Sequence, residues 1–166
     1  RNLPNKNHIL NKSEDWFEES FKFILPGYNV RPVEMSGAIG IEQLKKLPDF
    51  INQRRKNAVL FQKLFTDNSK FIIQKEIGES SWFGFSLVIK GEMKRSKIIE
   101  LLTLSKIECR PIVTGDFTQN PVMKFFDYEV LGGLPNSKKI HDNGFFVGNS
   151  HLDLSDELEY LATTLS

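Results

Sequence analysis

Near Lys70 the spacing of apolar residues changes from a helical to an extended repeat, so this chain of 166 residues reads as a mixed helix-and-strand fold. Upstream, Val33, Gly37, Gly40, Leu44 and Leu47 step by four, three, four and three residues, which places them on one helical face. Pro32 suits the first turn of that helix, and Pro48-Asp49 is expected to break or kink it. A second helical run follows, with Ile51, Ala58, Phe61 and Phe65 inward and Gln53-Arg54-Arg55-Lys56 largely solvated. Downstream, Phe71-Ile72-Ile73 and Trp82 to Ile89 read as strands, the second with Phe83, Phe85, Leu87 and Ile89 alternating with smaller or polar positions. A helix over Lys94 to Lys106 comes next, then a strand over Ile107 to Val113 that Pro111 pushes to an edge or a bend. A short helix around Pro121 to Phe126, a strand at Phe145 to Val147 and a last helix from Ser155 complete a small α/β or α+β unit.

Composition narrows the function classes. Twenty-two Lys+Arg against 21 Asp+Glu give a net charge of +1, so no chain-wide field gathers nucleic acid or anionic membrane. No apolar run approaches the roughly 20 residues of a spanning helix, and the N-terminus lacks a signal-peptide pattern. A soluble, cytoplasmic protein is expected. Cys109 is the single cysteine, in an apolar strand context that suits a small core residue. His8, His141 and His151 stand far apart without metal-ligand spacing, so no metal is assigned. Phosphate-loop and nucleophile-elbow motifs do not occur. Arg1 opens the chain without a methionine and leads into Asn- and Lys-rich loop sequence, from which a fragment of a longer protein is expected.

Four places stand out. Trp16, Phe17, Phe21 and Phe23 supply apolar surface close to the N-terminus, either capping a local core or burying against missing chain or a second subunit; the latter is favoured. Tyr28, Asn29 and Arg31 lie beside a helix entrance, where backbone N–H groups favour anions, although an ordinary helix start is the commoner explanation of such residues. Gly37 and Gly40, with Ser36 and Ala38, make a small-residue surface suited to core packing or to a subunit or cofactor contact. Arg110, at a strand end before Pro-Ile-Val-Thr-Gly, could offer a planar guanidinium to a carboxylate or phosphate, or form a surface ion pair.

The string Gly27-Tyr28-Asn29-Val30-Arg31-Pro32-Val33-Glu34-Met35-Ser36-Gly37-Ala38-Ile39-Gly40, followed by Glu42-Gln43-Leu44-Lys45-Lys46-Leu47, resembles the signature of the DegT/DnrJ/EryC1/StrS sugar aminotransferase and dehydratase family. Arg1 to Pro4, Phe17 to Phe23, Gly78 to Phe85, Glu108 to Gly115 and Phe146 to Asn149 resemble one branch, the 3-dehydratases acting on GDP-4-keto-6-deoxy-D-mannose in colitose formation. The resemblance implies the C-terminal part of an aspartate aminotransferase type (type I) fold. Residues 1–30 would end the large domain, 31–66 would form connecting helices, and 67–166 would form a small α/β domain.

The implied cofactor is pyridoxal 5'-phosphate, interconverting with pyridoxamine 5'-phosphate, with glutamate as amino donor and no iron–sulfur cluster. The implied partners are a second copy of the chain in a homodimer and a nucleotide-linked keto-deoxy sugar. By the same resemblance Asn29 reaches the cofactor phosphate of the neighbouring subunit, and Arg110 lies near the glutamate carboxylate or the substrate. Arg1, Phe21 and Phe23 approach the nucleotide sugar or the active site of the second copy. The histidine that stands for the cofactor-linked lysine in that branch falls upstream, so the fragment alone is expected to be inactive. A perosamine-type sugar 4-aminotransferase, which keeps the lysine, and a non-catalytic α/β binding module are the alternatives.

Overall fold

A four-stranded antiparallel sheet of order β1-β2-β4-β3 organises the molecule. The computed structural model describes residues 14–23, 25–27 and 33–166. In chain order the elements are α1 (Trp16–Glu19), α2 (Glu34–Phe65), β1 (Phe71–Ile73), β2 (Gly84–Ile89), α3 (Arg95–Leu104), β3 (Cys109–Arg110), α4 (Pro135–Asn143), β4 (Gly144–Gly148) and α5 (Ser155–Thr164). Two 3-10 turns, Phe117–Gln119 and Pro121–Phe125, lie between β3 and α4.

Strand alternation builds the core. The register pairs Phe85 with Val147, Leu87 with Phe145 and Phe71 with Ile89, so these side chains share one sheet face with Cys109. They join Ala58, Phe61 and Phe65 of α2, Ile98, Ile99 and Leu102 of α3, and Leu158 and Leu161 of α5 in one buried cluster. Phe61 is its centre, stacked on Phe65 at 4.9 Å and on Phe85 at 4.5 Å between ring centroids. Each such buried ring contributes about 1.5–3 kcal/mol by leaving water.

Several elements depart from the sequence expectation. The helix runs unbroken through Pro48. Proline removes one N–H from the ladder, but the affected carbonyl belongs to exposed Leu44, where water can replace the bond. Trp82 adopts the left-handed region at φ 51° and takes the buried position, so Phe83 falls out of the expected alternation and lies exposed. The expected strand over Ile107 to Val113 shrinks to two residues, because Pro111 cannot donate to the ladder. Helix α4 did not register in the periodicity: its nine residues bury none of their side chains fully, and only Pro135 in the first turn marks its start.

The basic run on α2 is not a wet face throughout. Arg54 is half-buried and donates to the carbonyls of Ser81, Trp82 and Asn149. One turn on, buried Asn57 donates to Asn149 Oδ1 and the carbonyls of Ser150 and Leu152. Its own Oδ1 accepts from Gln53 and from the Leu154 amide. This polar knot joins α2 to both loops that bracket its end of the sheet. Val33, Met35, Ile39, Ile41 and Leu44, in contrast, are exposed, and among the described residues nothing lies within 4 Å of a Cβ placed at Gly37 or Gly40. The small-residue surface therefore does not pack on this chain's described core.

Candidate functional site

Sheet register decides where Arg110 projects. Cys109 pairs with Val147 and faces the core, where burial pushes its thiol up to about 11. Arg110 pairs with Phe146 and points to the opposite face, half exposed. Glu108, two residues away and on the same side, accepts from Arg110 Nε at 3.1 Å and from Nη2 at 2.6 Å. One edge of the guanidinium is thus occupied and Nη1 stays outside that pair. Phe83 lies 5.7 Å from Phe146 on this face, so Arg110 stands at the border of a partly bare aromatic surface.

After Arg110 the chain makes a tight excursion. Val113 takes φ 42°, a left-handed conformation rare for a β-branched residue. Gly115 takes φ 53°, and here glycine is required, since a Cβ would fall 2.6 Å from the His141 Cα. His141 Nδ1 lies 3.1 Å from the Thr114 carbonyl; a carbonyl only accepts, so Nδ1 carries the proton. Asp116 is buried and accepts from the Thr118 hydroxyl at 2.6 Å and the Thr118 amide at 3.1 Å. These bonds, that to the hydroxyl first, hold its carboxyl below the ordinary range, and His141 adds a smaller effect of the same sign.

The aromatic segment lies against this excursion. Phe17 is buried in the chain's own core cluster, which corrects the expectation that it serves an interface. Phe21 lines a cavity of about 250 Å³ together with Pro111, Val113, Thr114, Gln119 and His141. Phe23 sits 5.9 Å from Phe117, its amide donates to Asn120 Oδ1 at 3.2 Å, and its carbonyl accepts from the Val122 amide at 3.0 Å. The structure therefore brings Phe21 and Phe23 beside the loop that follows Arg110. Arg1 and Asn29 lie outside the described residues.

Helix α2 begins at Glu34 with Val33 as its N-cap, a residue whose side chain offers no acceptor to the first-turn N–H groups. Such an end can accept an external anion without displacing an internal cap. Sequence reasoning missed Glu108, Gly115, Asp116 and His141. Gly115-Asp116 was a turn signal in plain view, but its partner His141 is 26 residues away and nothing local points to it.

Comparison with known proteins extends the geometry. The chain is 56% identical to GDP-4-keto-6-deoxy-D-mannose 3-dehydratase of Escherichia coli O55:H7 over 99% of its own length, and spans 44% of that protein. A crystal structure of GDP-4-keto-6-deoxymannose-3-dehydratase with a trapped PLP-glutamate geminal diamine superposes with a TM-score of 0.80 at 56% identity, covering 93% of this chain and 41% of that one. A His-to-Asn variant of GDP-4-keto-6-deoxymannose-3-dehydratase with bound GDP-perosamine gives the same score and identity over 99% and 44%. The fold is thus that of the corresponding part of PLP-dependent sugar-modifying enzymes. With residues 5–165 matching throughout, the chain belongs to the DegT/DnrJ/EryC1/StrS aminotransferase family.

Proposed function

We propose that this chain is the C-terminal part of a pyridoxal-phosphate-dependent 3-dehydratase acting on a GDP-linked 4-keto-6-deoxymannose, with glutamate as amino donor. The observation that carries the reading is the 56% identity over 99% of the chain to proteins of that activity. The large domain, the acid/base histidine and a second subunit would complete the enzyme. In that assembly 67–166 is the small domain and α2 is the connection to the large one.

One point of this chain would meet the cofactor. Asn29, five residues before α2, would donate to its phosphate in the partner subunit, and the N-cap of α2, which lacks a side-chain acceptor, suits that anion. When bound, the cofactor supplies the electron sink that loss of the 3-hydroxyl requires. This chain's own residues bind and orient. Arg110, with Nε and Nη2 on Glu108, turns its remaining N–H edge to a carboxylate of glutamate or to the sugar nucleotide. Phe21 and Phe23, with Arg1, flank the nucleotide sugar and exclude water from it.

The test is borohydride reduction of the longer protein loaded with pyridoxal phosphate, followed by intact mass. Bound cofactor without a covalent adduct is the expected result. A phosphopyridoxyl adduct would move the assignment to the perosamine-type aminotransferase, and a protein that binds no cofactor would overturn both. In the active enzyme, Arg110→Lys should raise the KM for glutamate or nucleotide sugar by at least about tenfold, because an ammonium cannot reproduce the fork.

A further inference from the structure

Arg95 opens α3, yet its side chain works elsewhere. It is 14% exposed, and Nη1 donates to the carbonyls of His141 and Gly144, where α4 ends and β4 begins. Those carbonyls lie at the negative end of α4, so a cation is favoured there. Nη2 meets the Glu18 carboxylate, and the guanidinium lies 5.3 Å from the centre of the Phe17 ring. One side chain therefore ties α1 to α3 and to the α4–β4 junction, and His141 in turn holds the loop after Arg110 through Thr114.

The segment is fastened a second time at its far end, where Asn120 and Val122 bond the backbone of Phe23. Between the two fastenings lies Phe21, over the cavity lined by residues 111–115. Asp15 caps α1 by accepting from the Phe17 and Glu18 amides, so the four-residue helix is internally set but too short to hold itself. Its place is decided by Phe17 and Arg95.

We propose that Arg95 is a positioning residue of the active site. By gripping Glu18, Phe17 and the end of α4 together, it makes the aromatic segment and the loop after Arg110 one body, so that Phe21 and Phe23 stand at a fixed distance from Arg110. This rests on the assignment of those residues to the nucleotide sugar. A planar fork is needed because three acceptors lie in different directions, and lysine supplies only a point charge.

The experiment compares Arg95→Met, Arg95→Lys and Glu18→Gln in the full-length holoenzyme by amide hydrogen exchange and steady-state kinetics. Arg95→Met should speed exchange of residues 15–22 by at least about tenfold while β2 and β4 keep their protection. It should also raise the KM for the nucleotide sugar about tenfold with kcat changed less than about threefold, and Lys should restore only part of the loss. Glu18→Gln, at an exposed carboxylate, should give the same pattern more weakly. Unchanged exchange in 15–22, or a loss of protection spread over β2 and β4, would overturn the anchoring role. Faster exchange in 15–22 with an unmoved KM would overturn the positioning role and leave the enzyme assignment standing. A wild type that turns over no nucleotide sugar would count against the assignment, and the exchange data would still decide the anchor.

Discussion

The two halves of α2 share one helix and little else. From Arg54 to Phe65 it is held by three buried apolar residues and by the polar knot around Asn57 and Arg54. From Glu34 to Leu47 it shows Met35, Ile39, Ile41 and Leu44 to solvent, with open space over both glycines. Apolar residues at helical spacing occur in both halves, so periodicity reports a face and not what covers it. In the proposed enzyme, the large domain and the second subunit would cover the first half.

Changes in the held half should cost most. Phe61→Ala removes the ring stacked between Phe65 and Phe85 and should destabilise by about 3–5 kcal/mol in urea unfolding. A loss under about 1 kcal/mol would show that the held half is not held by packing. Asn57→Leu, at similar volume, strands the carbonyls of Ser150 and Leu152 and the Leu154 amide, and should cost about 3 kcal/mol.

A smaller effect concerns Cys109, beneath the same core. Its folded thiol keeps its proton while the unfolded thiol ionises, so stability should fall as pH rises from 9.0 to about 11. Cys109→Ala should remove that slope from stability measured across the range. The smallest change probes the bare half. Gly37→Ala would gain about 0.5–1 kcal/mol on a free helix. In the longer protein that gain should not appear, and its appearance in urea unfolding would show the half to be bare there too.

The core was legible because it follows from alternation. Phe85, Leu87, Ile89, Ala58, Phe61 and Phe65 are buried where period alone places them. What escaped were positions set by partners distant in sequence. Phe83 is exposed because Trp82 turns left-handed, and Arg54 is half-buried because three carbonyls from two loops converge on it. Of the candidate site, Arg110, Phe21 and Phe23 are brought toward one loop. Of the residues that hold that loop, Gly115-Asp116 reads only as a turn, and His141 and Arg95 carry no local pattern that distinguishes them from ordinary surface residues.

The Asn57 knot also constrains the order of folding. Its partners Asn149, Ser150, Leu152 and Leu154 lie 92, 93, 95 and 97 residues downstream. During synthesis, the C-terminal half of α2 must wait until the chain has been extended past Leu154 before its buried amide is satisfied. Contacts of such long sequence separation form slowly, and until they do the aromatic face of the helix is open to wrong partners. This end of the protein should therefore acquire its structure in one late step.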